Sequence, residues 1–254
     1  MTVHLAVADD GVATVTIDRP QRLNALDVGT RRDLLDRLEE AAGDPRVRVV
    51  VLTGTGRAFC VGQDLAAAEE LERAEETVAA TYNPIATLIA DMPQLVVAAV
   101  NGLAVGAGFG LVLACDLRVA AASASFCCAF GKVGLVPDTS TSWYLVRELG
   151  HARALPLALT GRTVPAAEAL EMGLLSEVVP DDAFTDRVAQ LAAQFAAGPA
   201  LSQTLTKRVF RAAHTQDLAA SMAAEARNQG VAARHPDHLE GRTAFAEKRR
   251  PRFS

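Results

Sequence analysis

The amino-acid sequence predicts an α/β protein with a mainly parallel sheet, on three grounds. Short apolar runs, Val47 to Thr53 and Val96 to Val100 among them, are continuous rather than alternating, as in strands buried on both faces. Segments of helical periodicity stand between these runs. The turns that join them are short and marked by glycine.

Taken in order, Val3 to Ala8 and Val12 to Ile17 flank Asp9-Asp10-Gly11, a hairpin signal. Asp27 to Ala42 places Leu34, Leu35, Leu38 and Ala41 on one helical face. The strand Val47 to Thr53 is followed by Gly54, Gly56 and Gly62. A polar helix, Ala66 to Glu76, precedes a second helix ending near Asp91. Next, the Val96 to Val100 strand breaks at Asn101-Gly102, and Gly106-Ala107-Gly108 opens a helix whose first turn has almost no side chains. Leu117 to Ala121 is another strand. From about Leu145 helices dominate: Ala152 to Leu159, Ala166 to Met172, Asp182 to Ala197, Leu201 to Ala213 and Asp217 to Gly230.

The glycine-rich helix start has two readings. A helix N-terminus exposes free N–H groups and the positive end of the dipole, and small residues let an anion or a carbonyl oxygen approach them. The same residues also suit a bend packed under a sheet.

Length and charge narrow the function classes. The chain has 254 residues, 50% hydrophobic and 22% charged, enough for a strand-rich core over residues 1–195 and a helical C-terminal region over 196–254. A net charge of −5 offers no basic field for nucleic acid or an anionic membrane. No apolar run reaches membrane-spanning length, and MTVHLAVADDG lacks a signal-peptide layout. Cys60, Cys115, Cys127 and Cys128 form no C-x-x-C pair and have no histidine at metal-ligand spacing, so free thiols in a reducing cytoplasm are expected.

Three segments, in order, resemble the crotonase or enoyl-CoA hydratase/isomerase superfamily: RPQRLNALD (19–27), VVVLTGTGRAFCVGQDL (49–65) and AVNGLAVGAGFG (99–110). With GLVPD (134–138) and EGRTAFAEKRRPRF at the C-terminus, the resemblance spans essentially the whole chain. It implies a spiral of ββα units and a helical C-terminal region that builds homotrimers, in many members paired into hexamers. The implied substrate is an acyl-CoA thioester. Coenzyme A is then part of the substrate, and no metal, nicotinamide or flavin is implied.

Matching motif to motif, the backbone N–H groups of Gln63 and Ala107 become the two donors of an oxyanion hole. Each would contribute ~3–4 kcal/mol toward an enolate oxygen. Arg22 and Leu23 match positions near the pantetheine and phosphates. Ala25, Cys60, Gly62, Asp64, Leu65, Gly106 and Phe130 match further substrate-binding positions. Phe245 and Lys248 match residues that reach the CoA of a neighbouring subunit. Tyr82 either lines the acyl pocket or packs in the core, and Trp143 is pocket wall or core. The stretch Ala66 to Tyr82 is expected to help shape the acyl pocket.

Two departures decide what chemistry the resemblance implies. Hydratases of the family carry two glutamates that activate and orient water, and Gly110 and Phe130 stand at those positions. Without that acid/base pair, hydration has no obvious route. Asp138 follows Gly134-Leu135-Val136-Pro137 directly, where isomerase branches place their acid. One carboxylate can remove a proton from C2 and return it at C4, and burial would raise its basicity. The other reading of Asp138 is a helix N-cap.

GQDL (62–65), YNP (82–84), AFGKVGLVPD (129–138) and Trp143 resemble the ring-1,2-epoxyphenylacetyl-CoA isomerase branch, with Ser140 and Thr141 where that branch has glycines. Asp-Thr-Ser-Thr-Ser is also similar to the 4-chlorobenzoyl-CoA dehalogenases, but Asn83 and Phe130 replace the histidine and tryptophan those enzymes use. The expectation is thus an acyl-CoA isomerase with Asp138 as base. A hydratase-type activity and a noncatalytic acyl-CoA-binding protein are the alternatives.

Overall fold

The computed structural model describes residues 1–66 and 73–254. Strands β1 (Val3–Val7) and β2 (Val12–Ile17) form the expected antiparallel hairpin. Helix α1 (Val28–Gly43) is capped by Asp27, whose carboxylate accepts from Thr30 N at 2.7 Å. Strand β3 (Val49–Gly54) and the short β4 (Ala58–Cys60) follow. The expected polar helix Ala66 to Glu76 lies largely outside the described residues. Description resumes with α2 (Ala74–Thr77), a π-turn over Val78–Tyr82, and α3 (Asn83–Asp91).

Two strands, β5 (Leu95–Val100) and β6 (Leu103–Val105), precede α4 (Ala107–Ala114), and two more, β7 (Leu117–Ala121) and β8 (Ser125–Cys127), come after it. The remainder comprises α5 (Thr141–Leu149), α6 (His151–Thr160), β9 (Thr163–Pro165), α7 (Ala166–Glu171) and β10 (Glu177–Val179), then α8 (Phe184–Ala196), α9 (Ala200–Ala213), α10 (Leu218–Ala232) and α11 (Pro236–Glu247).

The five strands of five or six residues, with the three-residue β10 at one edge, build a six-stranded sheet in the order β1-β2-β3-β5-β7-β10, parallel except for β1–β2. Four other three-residue strands build a second sheet, β4-β6-β8-β9, parallel except for β8–β9. The chain therefore lays one strand in each sheet and then a helix: β3–β4, β5–β6 and β7–β8 are three successive steps of a ββα spiral. Fully buried Val49, Val50, Val96, Val97 and Ala98 explain why these strands read as unbroken apolar runs.

Helix α4 stands inside this spiral, with every residue from Ala107 to Ala114 buried. A helix apolar on all sides has no solvent face, so its N-terminus must be reached through a gap between strand ends. Helix α8 packs on β2, β3, β5 and β7, whereas α9 pairs with α10. Among the described residues no helix is long and apolar enough to cross a membrane.

Candidate active site

Helix α4 starts where the ends of the small-sheet strands meet. Gly106 precedes it with φ +56°, a left-handed backbone that glycine takes without penalty. The first N–H groups of α4, beginning with Ala107, have no intrahelical acceptor. Gly62, at φ +84°, lies against them: a Cβ there would be 3.0 Å from Ala107 N. Its neighbour Gln63 forms an isolated parallel bridge with Leu26, closed by Leu26 N to Gly62 O (2.7 Å) and Asp64 N to Leu26 O (3.1 Å). Because those bonds use the flanking residues, the peptide groups of Gln63 are turned away from Leu26. On the other side, Gly108 packs against the Cys60 carbonyl, where a Cβ would fall 2.1 Å from the oxygen. The Gln63 and Ala107 segments are thus held together by contacts only glycine permits.

The RPQRLNALD turn is fixed from beneath by residues that the family match did not single out. Asn24 is fully buried at φ +59°; its amide donates to Thr55 O (2.9 Å) and Ala58 O (2.7 Å), and its oxygen accepts from Arg19 N (2.8 Å). Arg19 donates to Ala25 O at 2.5 Å and pairs with Asp64 (3.2 Å) and Asp27 (3.0 Å). Asp64 is therefore neutralised by Arg19 and bound to the turn that carries Leu23 and Ala25. Arg22 and Leu65 project outward, both exposed.

Asp138 is half-buried, on a turn that packs against Gly110 in the first turns of α4. The next residues, Thr139 (φ +50°) and Ser140 (φ +62°), are both left-handed, and Thr141 N donates back to Asp138 O at 2.9 Å. That is the backbone of a type I′ turn, a conformation usually left to Asn and Gly, and it costs about 1–2 kcal/mol per residue for other L-side chains. Thr139 Oγ1 donates to Asp138 Oδ1 at 2.7 Å. The N-cap of α5 is Ser140, with no side-chain capping bond, so Asp138 does not serve as the cap.

Among the described residues no basic side chain pairs with Asp138. Burial pushes its pKa up, opposed only by the Thr139 hydroxyl. Its charge adds a small upward push to the Tyr82 hydroxyl and the Cys128 thiol. Tyr82 is 1% exposed and accepts from Arg31 Nη1 at 3.2 Å, with the guanidinium carbon 4.9 Å from its ring centre. Burial raises its pKa, and the thiols of Cys60 and Cys128 are pushed up by burial to about 12 and about 11. All four cysteines are free and buried.

The two positions that lack glutamate are both packed against neighbours near the start of α4. Phe130 is buried, with Cζ 3.9 Å from where a Gly106 Cβ would lie. Gly110 is filled from outside: a Cβ there would be 2.5 Å from Thr139 O, 2.7 Å from Thr141 Oγ1 and 2.9 Å from Thr139 Cβ. The turn that presents Asp138 occupies the volume a side chain at 110 would need. The chain belongs to the enoyl-CoA hydratase/isomerase family. The family model for enoyl-CoA hydratase/isomerase matches residues 8–254.

A Rhodobacter capsulatus protein named "Probable enoyl-CoA hydratase" is 44% identical over 96% of this chain and 95% of its own. The 1,2-epoxyphenylacetyl-CoA isomerase of Escherichia coli is 38% identical over 100% and 99%. The crystal structure of an enoyl-CoA hydratase from Bacillus anthracis superposes with a TM-score of 0.95 at 31% identity, covering 100% and 99%. The ββα spiral is thus the crotonase fold.

Other expected members of the site stand farther out. Trp143, on the first turn of α5, packs edge-on to Tyr144 (4.7 Å) and His214 (5.4 Å) with Arg147 at 4.0 Å over its ring. It lines a cavity of about 370 Å³ with Asn83, Ser140 and Arg211, and Ser140 links that cavity to the Asp138 turn. Phe245 is 87% exposed and Lys248 ends α11 at φ +55°; within one chain both lie outside the cluster around α4. In the basic C-terminal segment, Arg249 pairs with Glu240 and Glu247. Both carboxylate oxygens of Glu148 accept from Arg118 (2.6 and 2.8 Å).

Proposed function

We propose that this family member is an acyl-CoA isomerase that uses one carboxylate. Its reaction is a Δ3 to Δ2 double-bond shift in an enoyl-CoA, or the related rearrangement of a ring-epoxide phenylacetyl-CoA. The carrying observation is the contact between Gly110 and the Asp138 turn. It seats a half-buried carboxyl, paired with no cation among the described residues, beside the first turn of α4, and the turn fills the space that a side chain at 110 would need.

In this mechanism the thioester oxygen lies between the N–H groups of Gln63 and Ala107. Asp138 removes a proton from C2, the electron pair moves onto the thioester oxygen as an enolate, and the two donors with the α4 dipole hold that charge. The enolate collapses, C4 receives the proton from Asp138, and the double bond lies between C2 and C3. The atoms balance with one acid, and the only CoA involved is that of the substrate. Arg22 and Leu23 take the pantetheine and phosphates, and Phe245 and Lys248 serve a neighbouring subunit in a homotrimer or a hexamer. Exposed Leu135, Val136, Leu155, Leu159 and Phe245 support self-association, and four free thiols support a cytoplasmic setting.

The name of the Rhodobacter relative favours a second reading, hydration of a 2-enoyl-CoA. Product analysis separates the two. Incubated with a 3-enoyl-CoA and, separately, a ring-epoxide phenylacetyl-CoA, the enzyme should yield the isomerised thioester, and a 2-enoyl-CoA should gain no water at C3. Efficient 3-hydroxyacyl-CoA formation would overturn the isomerase reading in favour of hydration. Tight binding of every thioester without turnover would leave an acyl-CoA-binding protein.

A further inference from the structure

We propose that Thr139 is a positioning residue for Asp138: its hydroxyl clamps Oδ1 so that the other carboxylate oxygen is held toward the substrate carbon. The inference rests on the reading of Asp138 as the base. Three features of the turn support it independently. Thr139 is 1% exposed, and its hydroxyl donates to Asp138 Oδ1 at 2.7 Å, so among the described residues the carboxylate has a short, sheltered hydrogen bond on one oxygen only. The residue that makes this bond is β-branched at φ +50°, a conformation uncommon for any non-glycine side chain and more so for threonine. Its own backbone is immobilised, because its carbonyl accepts from Ser140 Oγ at 2.5 Å and presses on Gly110 of the buried helix α4.

A glycine here would satisfy the turn better but would supply no hydroxyl. The strained threonine is thus explained by what its side chain holds. Without the clamp the carboxyl would rotate about its terminal torsion, which is broad and nearly two-fold. The same hydroxyl favours the ionised form of Asp138 against the burial that raises its pKa.

The test compares Thr139→Val, which keeps shape and branching, with Thr139→Ser, which keeps the hydroxyl. The carboxyl of Asp138 is followed by ¹³C NMR with selectively labelled aspartate, its resonance assigned by Asp138→Asn. Thr139→Val should move the Asp138 midpoint upward, and Thr139→Ser should restore it. With substrate, kcat of the valine variant should fall by about 10-fold or more at unchanged KM, and serine should recover it. An unmoved midpoint in a folded valine variant would overturn the proposal, as would serine behaving like valine. Should the valine variant not fold, Thr139→Ala carries the same comparison. The NMR reading needs no turnover. A shifted midpoint with Asp138→Asn still active would therefore refute Asp138 as base while leaving the hydrogen bond intact.

Discussion

A methyl group added to Gly110 tests why this chain has no glutamate on α4. In an open helix interior, Gly→Ala stabilises by about 1 kcal/mol. At 110 the new Cβ would lie 2.5 Å from the Thr139 carbonyl oxygen and 2.9 Å from Thr139 Cβ, well inside normal contact. Neither atom can swing aside, because the Thr139–Ser140 turn is already left-handed and α4 is buried on every face. Overpacking of this kind costs about 1–3 kcal/mol, and clashes with backbone belong at the upper end. Setting about 3 against the propensity gain of about 1 leaves a net loss near 2 kcal/mol. For a chain of this size that is a fall of about 4–8 °C in Tm.

Gly43→Ala is the control. It ends α1 with nothing within 4 Å of its Cβ position, so the same substitution should there be neutral or stabilise by up to about 1 kcal/mol. Thermal and urea unfolding of both variants would read these signs. A Gly110→Ala variant as stable as Gly43→Ala would refute the claim that the Asp138 turn excludes a side chain at 110.

Three further outcomes follow from the same coordinates. Asp138 has its pKa raised in the folded state, so its ionisation disfavours the fold: the penalty is absent below the ordinary aspartate value near 4, grows as pH rises above it and is complete once pH has passed the folded value. Asp138→Asn should therefore match wild type in urea at about pH 3.5 and equal or exceed it at about pH 8, and a loss of stability confined to high pH would contradict this. Lys207, whose side chain is 5% exposed, donates to Asp116 (2.8 Å) and to the carbonyls of Ile89 and Gln94 (3.0 Å each). Lys207→Met should cost about 3–5 kcal/mol by stranding a buried carboxylate, and adding Asp116→Asn should restore part of it in chemical denaturation. With Cys60 and Cys128 pushed up to about 12 and about 11 and all four thiols buried, thiol reagents at about pH 8 should label the native protein slowly and the unfolded protein at four sites.

The elements that the sequence revealed are those with enough residues to show a period. Val49–Gly54, Leu95–Val100 and α1 were legible because their burial is continuous or one-faced over six residues or more. The second sheet was not, since β4, β6, β8 and β9 are three residues each, too short for alternation to register. Helix α11 was missed because it presents no apolar stripe: Leu239 and Phe245 are exposed while Asp237 is buried under the hydroxyl of Ser254.

In the candidate site, the α4 start stood out by its glycines and Asp138 through the family resemblance, and contacts at Gly62, Gly108 and Gly110 show how tightly the chain packs there. Arg19 and Asn24 escaped notice although they lie in the quoted motif, because their work is internal to the turn. Only the backbone shows that the left-handed pair falls on Thr139 and Ser140, which moves the cap of α5 off Asp138. No residue preference would place a threonine there.

The most direct test of the central claim follows hydrogen at the α-carbon of a 3-enoyl-CoA in deuterated buffer, with wild type and Asp138→Asn side by side. If Asp138 moves the proton beneath an enolate held by Gln63 and Ala107, wild type will exchange and isomerise. The asparagine variant will then bind the thioester with both processes lost. Exchange that persists at the wild-type rate in Asp138→Asn would show that another group carries the proton.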